Sequence, residues 1–170
     1  QYPAIQVEVE LTTRIVDPVE EGVDVVIHRG RPQDSSLVAR PMMASPKQLF
    51  ASPEYLKAQG TPQTPQDLAN HRCIHTVMDN SRKWHFVEPD ISVSITPALC
   101  VNNITFAREA AVAGAGIINV PAFIADPQVE EGSLCRLLEH CTLPSSELYA
   151  LYPSRRFQSM KVKAFIDFVI

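Results

Sequence analysis

No run of 18 apolar residues occurs in this chain, so no segment reads as a membrane-spanning helix. Basic excess is missing too: 15 Lys and Arg stand against 19 Asp and Glu, a net charge of −4. A free-standing nucleic-acid binder ordinarily carries a basic excess or stripe, so this chain is not expected to grip phosphate backbones by itself. Close cysteine pairs are absent. Cys73, Cys100, Cys135 and Cys141 are separated by 27, 35 and 6 positions, and none forms the CxxC of a structural zinc site. A disulfide framework belongs to much smaller cores, so the four read as buried or half-buried free thiols of a reducing compartment. The chain opens on Gln1-Tyr2-Pro3, without a starting Met and without a basic stretch leading into an apolar segment. No signal peptide is read there, and the chain is expected to be a fragment or a processed piece. Internal repeats and low-complexity tracts are likewise missing.

Catalytic signatures are also lacking. There is no G-x-S-x-G elbow, phosphate-binding loop, G-x-G-x-x-G or H-E-x-x-H. His71 and His75 have the spacing of two metal ligands on a helix, but His71 ends a helix and His75 lies in the strand after it. His28, His85 and His140 stand alone in sequence. Glu20-Glu21 and Glu130-Glu131 each precede a glycine and read as solvated helix ends, whereas catalytic carboxylate pairs come from separate elements facing a cleft. Arg155, Arg156, Lys161 and Lys163 read as a solvated basic face around the last helix. No catalytic residue, metal site or cofactor is assigned.

What is there is 170 residues, 45% hydrophobic, enough for one ordinary domain or two small lobes burying roughly 68–70% of the unfolded surface. Ile5–Leu11 alternates apolar and polar residues and predicts a half-buried strand. Asp17–Gly22 predicts a capped helical turn, and Val23–Ile27 a more continuously apolar strand covered on both faces. Short strands are expected at Ser36–Pro41, Lys47–Ser52, Arg72–Val77, Ala98–Val101, Gly116–Pro121, Ser133–Leu138 and Leu148–Tyr152. Trp84–Phe86 with Ile91–Ile95 suggests a hairpin. Ser52-Pro53 and Thr64-Pro65 carry helix-start signals, and Asn102 or Asn103 starts a helix closed by Gly114 and Gly116. From Ser159, Val162, Phe165, Ile166 and Val169 form the stripe of a packed helix face. Alternating strands and helices argue an α/β fold. The polar turn 79–83 and the stretch 143–147 are the candidate crossings between two lobes.

Ligands of open α/β sheets bind beyond the carboxyl ends of strands. Two such ends carry special residues: His28-Arg29-Gly30 after Val23–Ile27, and Asn102-Asn103 after Ala98–Val101. The second opens a helix, whose first N–H groups lack partners and carry about half a positive charge. Asn103 serves there as a cap, as part of an anion site, or as both.

The ordered set of segments resembles the regulatory domain of LysR-type transcriptional regulators. Val16–Gly30, Asp34–Arg40, Ala51–Pro62, Pro65–Cys73, Arg108–Ile117 with Pro121, Leu148–Pro153 and Lys161–Phe168 carry the likeness, which runs over essentially the whole chain. It implies a two-lobed fold like type II periplasmic binding proteins, with lobe one at 1–74 plus 153–170 and lobe two at 75–152. A small-molecule effector then sits between the lobes, and the full protein is a cytoplasmic homo-dimer or tetramer that binds DNA through a helix-turn-helix domain not present in this chain. Gln1-Tyr2-Pro3 resembles the end of the family's first regulatory helix, so lobe one is expected to be incomplete as written. His28 stands where many relatives carry Arg. The effector set expected is Arg29, Gly30, His75, Asn102, Asn103, Ile104, Pro121 and Phe123. Arg29 and the helix start at Asn102–Phe106 favour a carboxylate or aromatic acid, and Pro121 and Phe123 supply an apolar wall unless Phe123 is ordinary core. The alternatives are a transport-type solute-binding protein of the same fold, or an enzyme on it.

Overall fold

Proline and glycine punctuate short apolar runs along this chain, and the structure, a computed structural model, turns them into nine strands and four α-helices among the described residues. Those residues are 5–32, 36–76, 81–154 and 159–170. Asp34, Val77, Asp79, Arg155 and Arg156, which figure in the sequence reading, lie outside them. Two compact units form: 1–44 with 146–170, and 45–145. The chain thus crosses at 44/45 and 145/146. The first crossing lies inside a strand, where a change of partner leaves no mark in composition.

In the first unit, β1 (Val26–Arg29) pairs antiparallel with β9 (Ser145–Pro153), from Val26↔Leu151 to Arg29↔Leu148. Its small core joins Ala150 and Tyr152 of β9 to Val162 and Ile166 of α4 (Met160–Val169), with Phe165 partly buried against them. Asp17 caps the predicted turn: its Oδ1 accepts from the N–H of Val19 at 2.8 Å. Two expectations fail here. Residues 5–12 form no strand, and Val7, Val9 and Leu11 are 55%, 73% and 90% exposed. Alternation makes a strand only where a neighbour supplies the ladder bonds and the apolar cover. For the same reason β1 starts three residues later than expected and is not covered on both faces; Ile27 is 47% exposed.

The long strand β2 (Leu37–Ala51) joins the units. It replaces two predicted short strands. Pro41 and Pro46 lie within it: proline costs a strand only a donor, and a strand whose two halves serve different neighbours tolerates that loss. In the second unit the order is β8-β2-β7-β3-β6. These are β8 (Cys135–Leu137), β7 (Ile117–Pro121), β3 (Cys73–Thr76) and β6 (Pro97–Val101). β7 and β8 run antiparallel to β2, whereas β3 runs parallel to both β7 and β6. Phe50, Ile74, Ile118 and Val120 face α2 (Ile104–Val112) and α3 (Ala122–Glu130) in one buried cluster. The other face carries Leu49, Cys73 and Ile117 against Tyr55 of α1 (Pro53–Gln59), Leu68, and the hairpin β4 (Lys83–Phe86) and β5 (Ile91–Ser94) with Trp84 and Phe86. Ser52 caps α1 as its sequence predicts, accepting from the N–H of Tyr55 at 3.3 Å.

Thr64-Pro65 starts a 3-10 helix, Pro65–Asn70, locked by a capping box. The Asp67 carboxylate accepts the N–H groups of Gln63 and Thr64, both at 2.9 Å, which hold it below its ordinary value of 3.8. Burial pulls the neighbouring His71 below its ordinary 6.5, Asp67 opposing in part. As pH falls, the unfolded chain takes up both protons before the folded one does. The stability they contribute is therefore complete above these ordinary values and is lost as pH drops through the lower folded ones. Melting temperature should decline on acidification below about pH 6.5 and again below about pH 4. Asp67→Asn should lower it at pH 7 and shrink the second decline. Melting curves of the variant that track the parent at every pH would contradict this.

Candidate functional site

The parallel strands β3, β6 and β7 point their carboxyl ends to one edge of the second unit's sheet. Thr76, Val101 and Pro121 are the last strand residues there. Two helices start from that edge, α2 after β6 and α3 directly after Pro121. Each brings the positive end of its dipole to it. The site therefore follows from topology before any particular side chain is considered.

At the start of α2, Asn103 is the cap: its Oδ1 accepts from the N–H of Phe106 at 2.9 Å, and its carbonyl accepts from the N–H of Ala107 at 3.0 Å. The cap thus occupies the Phe106 donor. In a helix the preceding N–H groups, here of Ile104 and Thr105, have no intrahelical acceptor and are the ones an anion would use. A shallow depression lies against this start, lined by Cys100, Val101, Asn102, Asn103, Thr105, Phe106 and Glu109. Asn102 and Asn103 are exposed, whereas Ile104 is half-buried against the core. The Glu109 carboxylate accepts from Nε and a terminal nitrogen of Arg108 at 2.9 and 2.7 Å, which offsets its charge.

At the start of α3, Pro121 is buried and Phe123 is 46% exposed, so Phe123 is not core. His75 is buried within β3, paired with Cys100 of β6. Asn102, Asn103, Ile104, Pro121 and Phe123 thus gather at one sheet edge, with His75 one residue inside it. Arg29 and Gly30 belong to the other unit. Arg29 is the last residue of β1 and not part of a loop as expected. Gly30, at φ 82°, donates its N–H to the carbonyl of Glu147 at 2.8 Å.

Three residues at this edge escaped the sequence reading. Lys47 lies opposite Pro121 in the β2–β7 ladder, and Asn119 opposite Leu49. Cys100 lines the depression. Nothing in their local sequence sets them apart, because the register of β2 against β7 is a tertiary fact. The thiols divide by environment: Cys100 is exposed, whereas burial pushes Cys73 up to about 12 and keeps it protonated. All four cysteines are free. Among the described residues no three His, Cys, Asp or Glu side chains come together as metal ligands, and no helix is long and apolar enough to cross a membrane.

The profile of the LysR substrate binding domain family matches residues 1–170. The transcriptional regulator PtxR of Pseudomonas aeruginosa is 32% identical over 170 residues, covering 98% of this chain and 54% of its own length. CrgA of Neisseria meningitidis serogroup B is 28% identical over 173 residues, covering 100% and 58%. This chain spans a little over half the length of the curated relatives it matches. Among solved structures, the CrgA regulatory domain superposes with a TM-score of 0.81 at 30% identity, covering 89% of this chain and 76% of that one. Full-length AphB of Vibrio cholerae gives 0.84 at 30% identity, covering 99% and 58%. These relatives are transcriptional regulators, which disfavours the transport-protein alternative. The chain belongs to the LysR substrate binding domain family.

Proposed function

We propose that this domain senses a small carboxylate or aromatic acid, and that binding alters how the full-length cytoplasmic regulator, a homo-dimer or tetramer, holds DNA through its helix-turn-helix domain. It acts as a sensor, not as an enzyme. The observation that supports the acid most directly is the start of α2: a capped nine-residue helix, opening at the carboxyl end of a parallel strand onto a depression. Ile104 and Thr105 offer backbone donors to the carboxylate, and Asn102 and Asn103 frame it. Pro121 and Phe123 provide apolar surface for a ring, with His75 behind them. Arg29 and Gly30 are the effector contacts proposed from the first unit.

A thermal-shift screen of organic acids on the full-length regulator tests the reading. Acid at about 100 times Kd adds roughly 2.7 kcal/mol, a rise of roughly 5–10 °C for a domain of this size. Asn103→Asp keeps a capping oxygen but sets a negative charge beside the bound carboxylate. It should weaken binding about 10-fold or more, since two like charges near 4 Å apart repel by roughly 1–4 kcal/mol in water-rich surroundings. A hit acid that binds the variant as tightly as the parent places the anion elsewhere.

A further inference from the structure

We propose that Glu109 is a specificity-determining residue of this site, whose carboxylate receives an ammonium group carried by the acid, so that the effector is an α-amino acid. The proposal rests on the effector reading above and names the ligand class within it. Glu109 lines the depression at the start of α2, its side chain is 57% exposed, and it is the one charged residue among those lining that depression. Only one of its two oxygens is engaged. Nε and a terminal nitrogen of Arg108 both donate to Oε1, at 2.9 and 2.7 Å. The other terminal nitrogen of Arg108 donates to the Ile124 carbonyl at 3.2 Å. Arg108 is thus fully occupied, and Oε2 of Glu109 has no hydrogen-bond partner among the described residues.

Placement brings this oxygen to the ligand. Thr105 and Phe106 precede Glu109 by four and three residues, the spacing of one helix face, and all three line the depression. The N–H groups of Ile104 and Thr105, unpaired within the helix, lie about 6–8 Å back along its axis, and helical side chains lean toward the N-terminus, so the Glu109 carboxylate tilts toward them. A plain carboxylate at those donors enters a depression whose one charged lining group is negative, and the two repel. An ammonium group on the same ligand turns that repulsion into a charge-assisted hydrogen bond. An α-amino acid carries both groups on one carbon, and hydrogen bonds of about 2.9 Å at each end extend its reach to that span. Its side chain then meets Val101 and Phe106, the apolar part of the lining, which favours an apolar one.

The test measures affinities of the full-length regulator for matched acids: phenylalanine against hydrocinnamate, leucine against isocaproate and valine against isovalerate, each pair differing only in the amino group. The parent should bind at least one amino acid about 10-fold more tightly than its deaminated counterpart, the worth of one hydrogen bond to a charged group. Glu109→Gln keeps the size and helix propensity of the side chain but not its charge. It should bind both members of that pair alike and melt as the parent does without ligand; Glu109→Ala gives the same comparison if glutamine disturbs Arg108. If the parent binds the plain acids as tightly as the amino acids, or the variant keeps the preference, Glu109 does not select the ligand, while the effector reading stands. If no acid of either kind binds, both readings fall together.

Discussion

Gly116→Ala should cost the second unit about 3 kcal/mol or more, a fall of roughly 6–12 °C in melting temperature, and in cells it should deplete the folded protein. A methyl group built at this position would stand 2.4 Å from the carbonyl oxygen of Arg72 and 2.9 Å from its carbonyl carbon. Both are backbone atoms and cannot swing aside. The approach is this close because the same carbonyl accepts the N–H of Ile117 at 2.9 Å, which opens the parallel pairing of β3 with β7. Arg72 cannot retreat either. Its N–H donates to the Tyr55 hydroxyl at 2.9 Å, its guanidinium donates to the Gly114 carbonyl at 3.1 Å, and that group lies over the Tyr55 ring. The backbone at Gly116, φ 155°, is moreover one that residues with a side chain rarely adopt. Urea or thermal unfolding of the two proteins checks this. An alanine variant within 0.5 kcal/mol of the parent would show that the β3–β7 junction is looser than described.

Phe50→Ala should be as damaging, at about 3–5 kcal/mol. Phe50 is fully buried in β2, paired with Ile118 of β7 and Arg136 of β8, in the cluster that seats α2 and α3 on the sheet. The fully buried residues that those helices bring to the cluster are small, Ala107, Ala111 and Ala125, so the missing ring leaves a cavity that they cannot fill. Phe106→Ala is the contrasting change. Phe106 is 57% exposed on the rim of the depression, and its removal should shift stability by no more than about 0.5 kcal/mol. Unfolding curves with equal slopes and well-separated midpoints for the two variants are the expected result. Similar losses from both would mean that the exposed ring is tied into the core.

The same contrast shows where sequence reasoning holds. Local chemistry was readable wherever its partners are local. Ser52 caps α1, Asn103 caps α2, and Val162 and Ile166 are the buried stripe of α4, because a cap reaches three residues and a helical stripe repeats within one turn. The ordered segments pointed to the LysR family, and the start of α2 was visible as a candidate anion site from Asn102-Asn103 following an apolar strand. These features need only the chain and its immediate neighbours.

Pairing across the sheet decided the rest. The alternation of residues 5–12 is that of a strand, yet no strand forms, since half-buried alternation has no value without a partner to bury against. What reads as two short strands is one fifteen-residue strand, and that strand carries the chain from one unit into the other. Lys47, Asn119 and Cys100 stand at the site because β2 and β3 hold β7 and β6 in particular registers. Sequence by itself therefore determined the α/β class and the helix ends, set by local patterns, and, through the resemblance of its ordered segments, the family. Only the tertiary structure decided which strands exist, where the units divide and which polar side chains share the edge at the start of α2, because register joins residues distant in sequence through hydrogen bonds that no local pattern encodes.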